Sequence, residues 1–170
     1  MAADDRTTLL ERQVPALRRY AYALVRDHDA ADDLVQDCLE RALSRWYLRR
    51  SDGDIRAWLF AILRNLYINA YQARRRRGPE APVDEVSSMG TPPDQEARIE
   101  ARDALAALDQ LSEPQKSLLL LIGVEDLSYA EAAEVLGLPI GTVMSRLSRA
   151  RRQLRTIIQT GRAPLLRRVK

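Results

Sequence analysis

Apolar residues recur along this chain at helical spacing, and nowhere do they alternate with polar ones as a half-buried strand requires. Leu10, Val14, Leu17, Ala21 and Leu24 step by four, three, four and three, so one helical segment carries them on one stripe. Ala31, Val35, Cys38 and Ala42 form a second stripe, widened by Leu34, Leu39 and Trp46. Asp29 is placed to cap that helix, with Asp32 near the positive end of its dipole. The turn residues of RRSDGD, residues 49–54, then break the pattern. A third helix is predicted from about residue 55 to 75, with Ile55, Leu59, Ile62 and Leu66 inward and Trp58 beside them. These three helices make an N-terminal domain over residues 7–77.

Residues 78–94, GPEAPVDEVSSMGTPPD, hold four prolines and two glycines and little that could be buried. A flexible acidic linker over residues 78–95 is the reading. A second helical domain follows over residues 96–160. Ala101, Leu105 and Leu108 mark one helix that ends near Leu111. SEPQ at 112–115 has the form of a capping box, with Pro114 tolerated in the first turn. SYAE at 128–131 is a second box, opening a short helix that Gly137 can end. The last helix turns Val143, Leu147, Ala150, Leu154 and Ile157 inward, again stepping four, three, four, three. The fold class expected is all-α, two small helical domains on a flexible tether. The tail, residues 161–170, is basic, and both phosphate contact and disorder are open for it.

Composition agrees with helices, since aromatics are only 5% and the apolar residues are mostly Leu, Ala, Ile and Val. No apolar run, the one at residues 118–122 included, approaches the ~20 residues that span a bilayer. The start, MAADDRTTLLERQ, has no basic region followed by an apolar one. Cys38 is the single cysteine, which excludes an intrachain disulfide and a cysteine-based zinc site. A soluble protein of the cytoplasm, without membrane insertion, is expected. No cofactor or metal site is expected and no enzymatic chemistry, because His28 has no evident partners and no phosphate-cradling or nucleophile motif occurs.

Charge changes the picture more than composition does. Residues 55–77 carry six bases and no acid, residues 78–137 carry thirteen acids against three bases, and residues 138–170 carry nine bases and no acid. Two positive blocks flanking a negative one suggest two sites on a polyanion, with an acidic middle that avoids it. In the last block, a short capped helix, the turn LGLPIG and a longer helix form a helix-turn-helix pattern. With its apolar stripe inward, the longer helix must turn Thr142, Ser145, Arg146, Arg149 and Arg152 outward, and Arg151 and Arg155 to the sides. Small hydroxyls and arginines on one face suit a helix that enters the major groove.

AADDLVQDCLERAL (30–43), RAWLFAILRNLYINAYQARRR (56–76) and LSYAEAAEVLGLPIGTVMSRLSRARRQLR (127–155) resemble the extracytoplasmic-function sigma factors of bacterial RNA polymerase. The order of these stretches is that of the family's conserved regions two and four, with nothing large between them. The resemblance implies binding to core polymerase, through the clamp helices of its largest subunit and the flap, and recognition of promoter DNA. Clamp docking would fall on Asp33, Gln36 and Asp37, with Asp32 either assisting or merely solvating its helix. The third helix would melt and hold the minus-ten element as a single strand. Asn65 and Asn69 stand one turn apart for base edges there, and Arg56, Arg64, Arg74, Arg75, Arg76 and Arg77 follow phosphates. The loop 48–54 would be the pocket for a flipped base. Tyr67 and Tyr71 read as partly buried packing residues, and Trp46 and Trp58 as core. Region four would read the minus-thirty-five element through Thr142, Ser145, Arg146, Arg149 and Arg152. The linker would either mimic nucleic acid inside the polymerase or serve as a solvated tether. An anti-sigma factor and a role in a stress response are further implications of the family, and AWLFAILRN (57–65) hints at the group that governs general stress.

Two other readings compete. A free-standing repressor would need a dimerisation element or ligand pocket, and would leave DDLVQ at 32–36 without a purpose. A sigma-mimicking decoy would carry a receiver domain and would not need arginines that read DNA.

Overall fold

The computed structural model describes residues 2–78 and 95–167, and every regular element among them is helical. The linker reading falls on residues that lie almost wholly outside this set. The N-terminal stripe belongs to two helices, α1 (Ala2–Glu11) and α2 (Val14–Val25), rather than to one continuous segment. Pro15 is the cause: it has no N–H to donate, and its ring would clash with the carbonyl four residues back, at Glu11. The apolar stripe survives the break, since Leu10, Leu17, Ala21 and Leu24 are all buried.

At Arg26 the backbone turns left-handed, φ 60°, and its N–H donates to the Tyr22 carbonyl at 2.8 Å. The very next residue, Asp27, caps α3 (His28–Ser44) by accepting from the Ala30 N–H at 2.7 Å. The cap is therefore Asp27 and not Asp29, because a two-residue connection starts the helix before Asp29 is reached. A 3-10 turn at Trp46–Leu48 follows, and Asp54 caps α4 (Ile55–Arg77) by accepting from the Arg56 N–H at 2.8 Å. Helices α2, α3 and α4 pack as the expected three-helix bundle, around Leu17, Tyr20, Ala21, Val35, Cys38, Leu59, Phe60 and Leu63. Tyr20 meets Phe60 edge-on at 5.1 Å. Trp46 and Trp58 lie only half inside, edge to face at 6.1 Å, and the guanidinium groups of Arg6 and Arg49 stand over Trp46.

Cys38 is wholly buried, its S–H 3.4 Å from the Leu59 carbonyl, and burial pushes its thiol up to about 12. The reactive thiolate is therefore scarce at neutral pH. A thiol reagent at pH 8 is expected to leave the native chain unlabelled and to label it fully in denaturant. Rapid native labelling would show that α3 opens from α4 far more readily than this packing implies.

The C-terminal domain comprises α5 (Gln95–Asp109), α6 (Glu113–Gly123), α7 (Tyr129–Leu136) and α8 (Ile140–Arg167). Both expected capping boxes are formed. In the second, the Ser128 N–H donates to the Glu131 carboxylate at 2.6 Å and the Glu131 N–H donates to Ser128 Oγ at 3.2 Å. Gly137 ends α7 in the left-handed conformation, φ 63°, where any side chain would be strained. Val143, Leu147 and Ala150 are buried against Leu111, Leu118, Leu119 and Ala132, with Leu154 and Ile157 half-buried at the edge. Helix α8 runs on to Arg167, so the first part of the tail continues the helix.

The two domains do not stand apart as a tethered pair would. Leu120, Leu121, Leu127 and Val135 from the C-terminal domain join the same buried cluster as Leu17, Tyr20 and Phe60. Helix α6 lies on α2, and α7 lies on α4.

Candidate nucleic-acid interface

The outward face of α8 follows from its inward one. With Val143, Leu147 and Ala150 buried, Ser145, Arg146, Arg149 and Arg152 are exposed and Thr142 is half-buried. Ser148 is exposed on the same face, one turn after Ser145 and one turn before Arg152. The sequence reading passed over Ser148, although its distance from the apolar stripe would have found it. Ser145 Oγ donates to the Thr142 carbonyl at 3.1 Å and Arg149 Nε to the Ser145 carbonyl at 3.4 Å, which ties both side chains to their own helix. Ile140 and Met144 are also exposed, about half of each, near the start of the helix.

Arg146 and Arg149 share a concavity with Ser112, Pro114 and Gln115 at the start of α6. Gln115 Nε2 donates across it to Gln153 Oε1 at 2.9 Å, which fixes the two helices against each other. With the guanidinium groups of Arg146 and Arg149 on its wall, this corner suits an oxygen anion such as a phosphate. Arg146 lies on the α6 side of α8, whereas Ser145, Ser148 and Arg152 lie on the face turned most directly away from the core.

The candidate residues of the N-terminal domain divide into three groups. On α3, Asp32, Asp33, Gln36 and Asp37 are all exposed, as one face of a helix. Asp32 is held by Arg18, whose Nε donates at 2.7 Å and whose second nitrogen donates at 3.1 Å. Gln36 Nε2 donates to Glu40 at 3.1 Å, while Asp33 and Asp37 face outward. On α4, Asn65, Asn69, Arg74 and Arg76 are exposed, and Arg75 lies within the same helix. Tyr67 and Tyr71 stack loosely along it at 5.9 Å, and burial pushes the Tyr67 hydroxyl up to about 12. Just ahead of the loop proposed as a base pocket stands an aromatic side chain in water, for Tyr47 is 80% exposed beside an exposed Leu48. Arg49 donates to the Gly53 carbonyl at 3.3 Å and so closes the loop on itself.

Arg56 and Arg64 form the third group, and the structure separates them from the rest of the track. Arg56 donates to Glu125 at 3.1 Å. Arg64 donates to Glu113 at 3.2 Å and to Ser117 Oγ at 3.2 Å. Both acids belong to the C-terminal domain, so these arginines lie in the seam between the domains. Arg19 and Tyr20 complete the seam, with Arg19 donating to Glu125 at 3.0 Å and the Tyr20 hydroxyl within hydrogen-bonding reach of Ser117 Oγ. None of these long-range partners is signalled by any local periodicity.

Comparison with known proteins places both halves. The family model described as the Sigma2 domain of PhyR matches residues 10–64, and Sigma-70, region 4, matches residues 101–154. The ECF RNA polymerase sigma factor EcfG of Rhodopseudomonas palustris is 39% identical over 145 residues, covering 85% of this chain and 80% of that one. SigL of Mycobacterium tuberculosis, also an ECF RNA polymerase sigma factor, is 33% identical over 157 residues, covering 89% and 87%. Among solved structures, the sigma factor RpoE of Bartonella quintana, in complex with the anti-sigma factor NepR, superposes with a TM-score of 0.77 at 35% identity. That match covers 91% of this chain and 97% of RpoE. CnrH, solved with the cytosolic domain of CnrY, gives 0.71 at 26% identity, covering 91% and 88%. With two helical domains in this order and relatives of this likeness along most of its length, the chain belongs to the ECF RNA polymerase sigma factors, which are transcription initiation factors and not enzymes.

Proposed function

We propose that this chain docks on core RNA polymerase through the acidic face of α3 and directs it to promoters by reading two DNA elements. The observation that carries this reading is the outward face of α8, where two serines and two arginines stand together in solvent with no acid among them. Ser145, Arg149 and Arg152 take the minus-thirty-five bases, with Ser148 beside them, and Arg146 with the start of α6 takes a phosphate. Asn65 and Asn69 contact the separated minus-ten strand, and Arg74, Arg75 and Arg76 follow its backbone, joined by Arg56 and Arg64. On α3, Asp33, Gln36 and Asp37 meet the clamp helices of the largest subunit, and Asp32, already paired with Arg18, holds the start of that face in place. The C-terminal domain meets the flap.

Control by an anti-sigma factor belongs to the same reading, supported by the likeness to RpoE of Bartonella quintana, which was solved with NepR. Release from that factor would place this chain in a stress response. Permanganate footprinting tests the melting role directly. Core polymerase with this chain is expected to make thymines reactive over a short stretch upstream of the start site, and core alone is not. Tight duplex binding with no reactive thymine in the presence of core would instead support a repressor.

A further inference from the structure

Among the described residues, four ion pairs cross between the domains, and all four have the same polarity. Arg19 and Arg56 meet Glu125, Arg26 meets Asp109, and Arg64 meets Glu113. Every base comes from the N-terminal domain and every acid from the C-terminal one. The Glu125 side chain is 0% exposed, and its two oxygens accept from two guanidinium groups. An anion flanked by arginines in this way is the arrangement a backbone phosphate would find on the same surface. Arg64 and Glu113 are nearly as deep, with side chains 15% and 12% exposed.

We propose that the acidic side of the C-terminal domain is an intrachain substitute for the minus-ten strand: Glu113 and Glu125 occupy Arg64 and Arg56, so the closed chain can offer α8 to duplex DNA but cannot hold the separated strand until the seam opens. This rests on the reading above that these arginines serve that strand. The asymmetry is visible on the surface. Ser145, Ser148, Arg149 and Arg152 stay exposed in the closed arrangement, while Arg64 is largely covered and Arg56 half-covered.

The seam also has the marks of a contact that opens. Apolar burial of Leu120, Leu121, Leu127 and Val135 holds it shut. Against this, Arg26, Arg56 and Glu113 each bury a polar atom that finds no hydrogen-bond partner among the described residues. Burial pushes the Glu113 carboxyl above the ordinary range despite Arg64 beside it. Asp54, the cap of α4, faces Glu131 of α7 across the seam, and that contact raises the Asp54 carboxyl. Desolvated charges and two facing carboxyls offset part of the apolar gain, as suits a surface that exchanges its internal acids for an external polyanion.

The test uses the full chain and two fluorescent probes, a random single-stranded DNA pool and a random duplex pool, at fixed salt. The variant Glu113→Gln with Glu125→Gln is compared with a charge-matched control, Glu100→Gln with Asp103→Asn, both exposed on α5. The seam variant is expected to bind the single strand about tenfold more tightly than the control does, with duplex affinity equal in the two. A single-strand gain no larger than the control's would overturn the proposal. If circular dichroism shows that the double variant has lost helix, Glu113→Gln alone carries the same comparison with a smaller gain. Selection of a sequence motif from the duplex pool by the wild-type chain checks separately the reading that α8 recognises duplex. Its absence would remove the role of α8 without touching the seam.

Discussion

Asp33→Arg is expected to abolish association with core polymerase while leaving the fold intact. Asp33 lies in the second turn of α3 on a face shared with Gln36 and Asp37, all exposed and none inside the hydrophobic cluster. Surface substitutions of this kind usually change stability by no more than about 0.5 kcal/mol. Reversing the charge at a docking face turns attraction into repulsion, and like-charge juxtaposition across an interface costs several kcal/mol, about 3 on a central estimate. That is roughly a 150-fold loss of affinity, read as a large drop in polymerase retained by co-purification. Asp32→Asn is a useful companion, since it breaks only the exposed pair with Arg18, worth about 0–1 kcal/mol. Polymerase retained at full strength by Asp33→Arg, with its circular dichroism unchanged, would remove the clamp assignment from this face.

Arg149→Ala is expected to cost about 1–3 kcal/mol of discrimination between the chain's own promoter element and scrambled duplex, the worth of a bidentate arginine to guanine. Its neighbour one turn earlier should behave differently. Both arginines line the concavity with Ser112, Pro114 and Gln115, but Arg146 lies on the α6 side of α8, farther from the outward face than Arg149, where a phosphate fits better than a base edge. Arg146→Ala should therefore weaken all duplexes alike and flatten the salt dependence by about one unit of slope. Titrations of both variants on matched and scrambled duplex separate the two roles. Equal losses for Arg149→Ala on both duplexes would make it a second phosphate contact.

The helices of this fold were legible in the sequence because their determinants are local. The stripes through α2, α3 and α8, both capping boxes and Gly137 all depend on residues within a few positions of one another. Errors arose where two local signals competed. Asp27 and Asp29 are both able to cap, and the tight connection through the left-handed Arg26 selects the earlier one. Pro15 sits on an otherwise continuous stripe, and its missing N–H breaks a helix that periodicity alone would run straight through.

The outward face of α8 was legible for the same reason as its core, since one follows from the other. The surroundings of Arg56 and Arg64 were not. Their partners Glu125 and Glu113 lie 69 and 49 positions away, beyond any periodic pattern. The partition of charge into basic, acidic and basic blocks did carry a trace of this arrangement. Its acidic middle suggested avoidance of a polyanion, whereas in the folded chain Glu113 and Glu125 lie against Arg64 and Arg56 of the first block, and Asp109 against Arg26 ahead of it. Opposite blocks in one chain attract each other before they meet any partner.

Run-off transcription from a promoter library, with core RNA polymerase alone and with core plus this chain, tests the central claim most directly. The expected result is a set of transcripts that require the chain and share two spaced promoter motifs. Transcripts identical with and without the chain, alongside sequence-specific duplex binding by the chain alone, would contradict it.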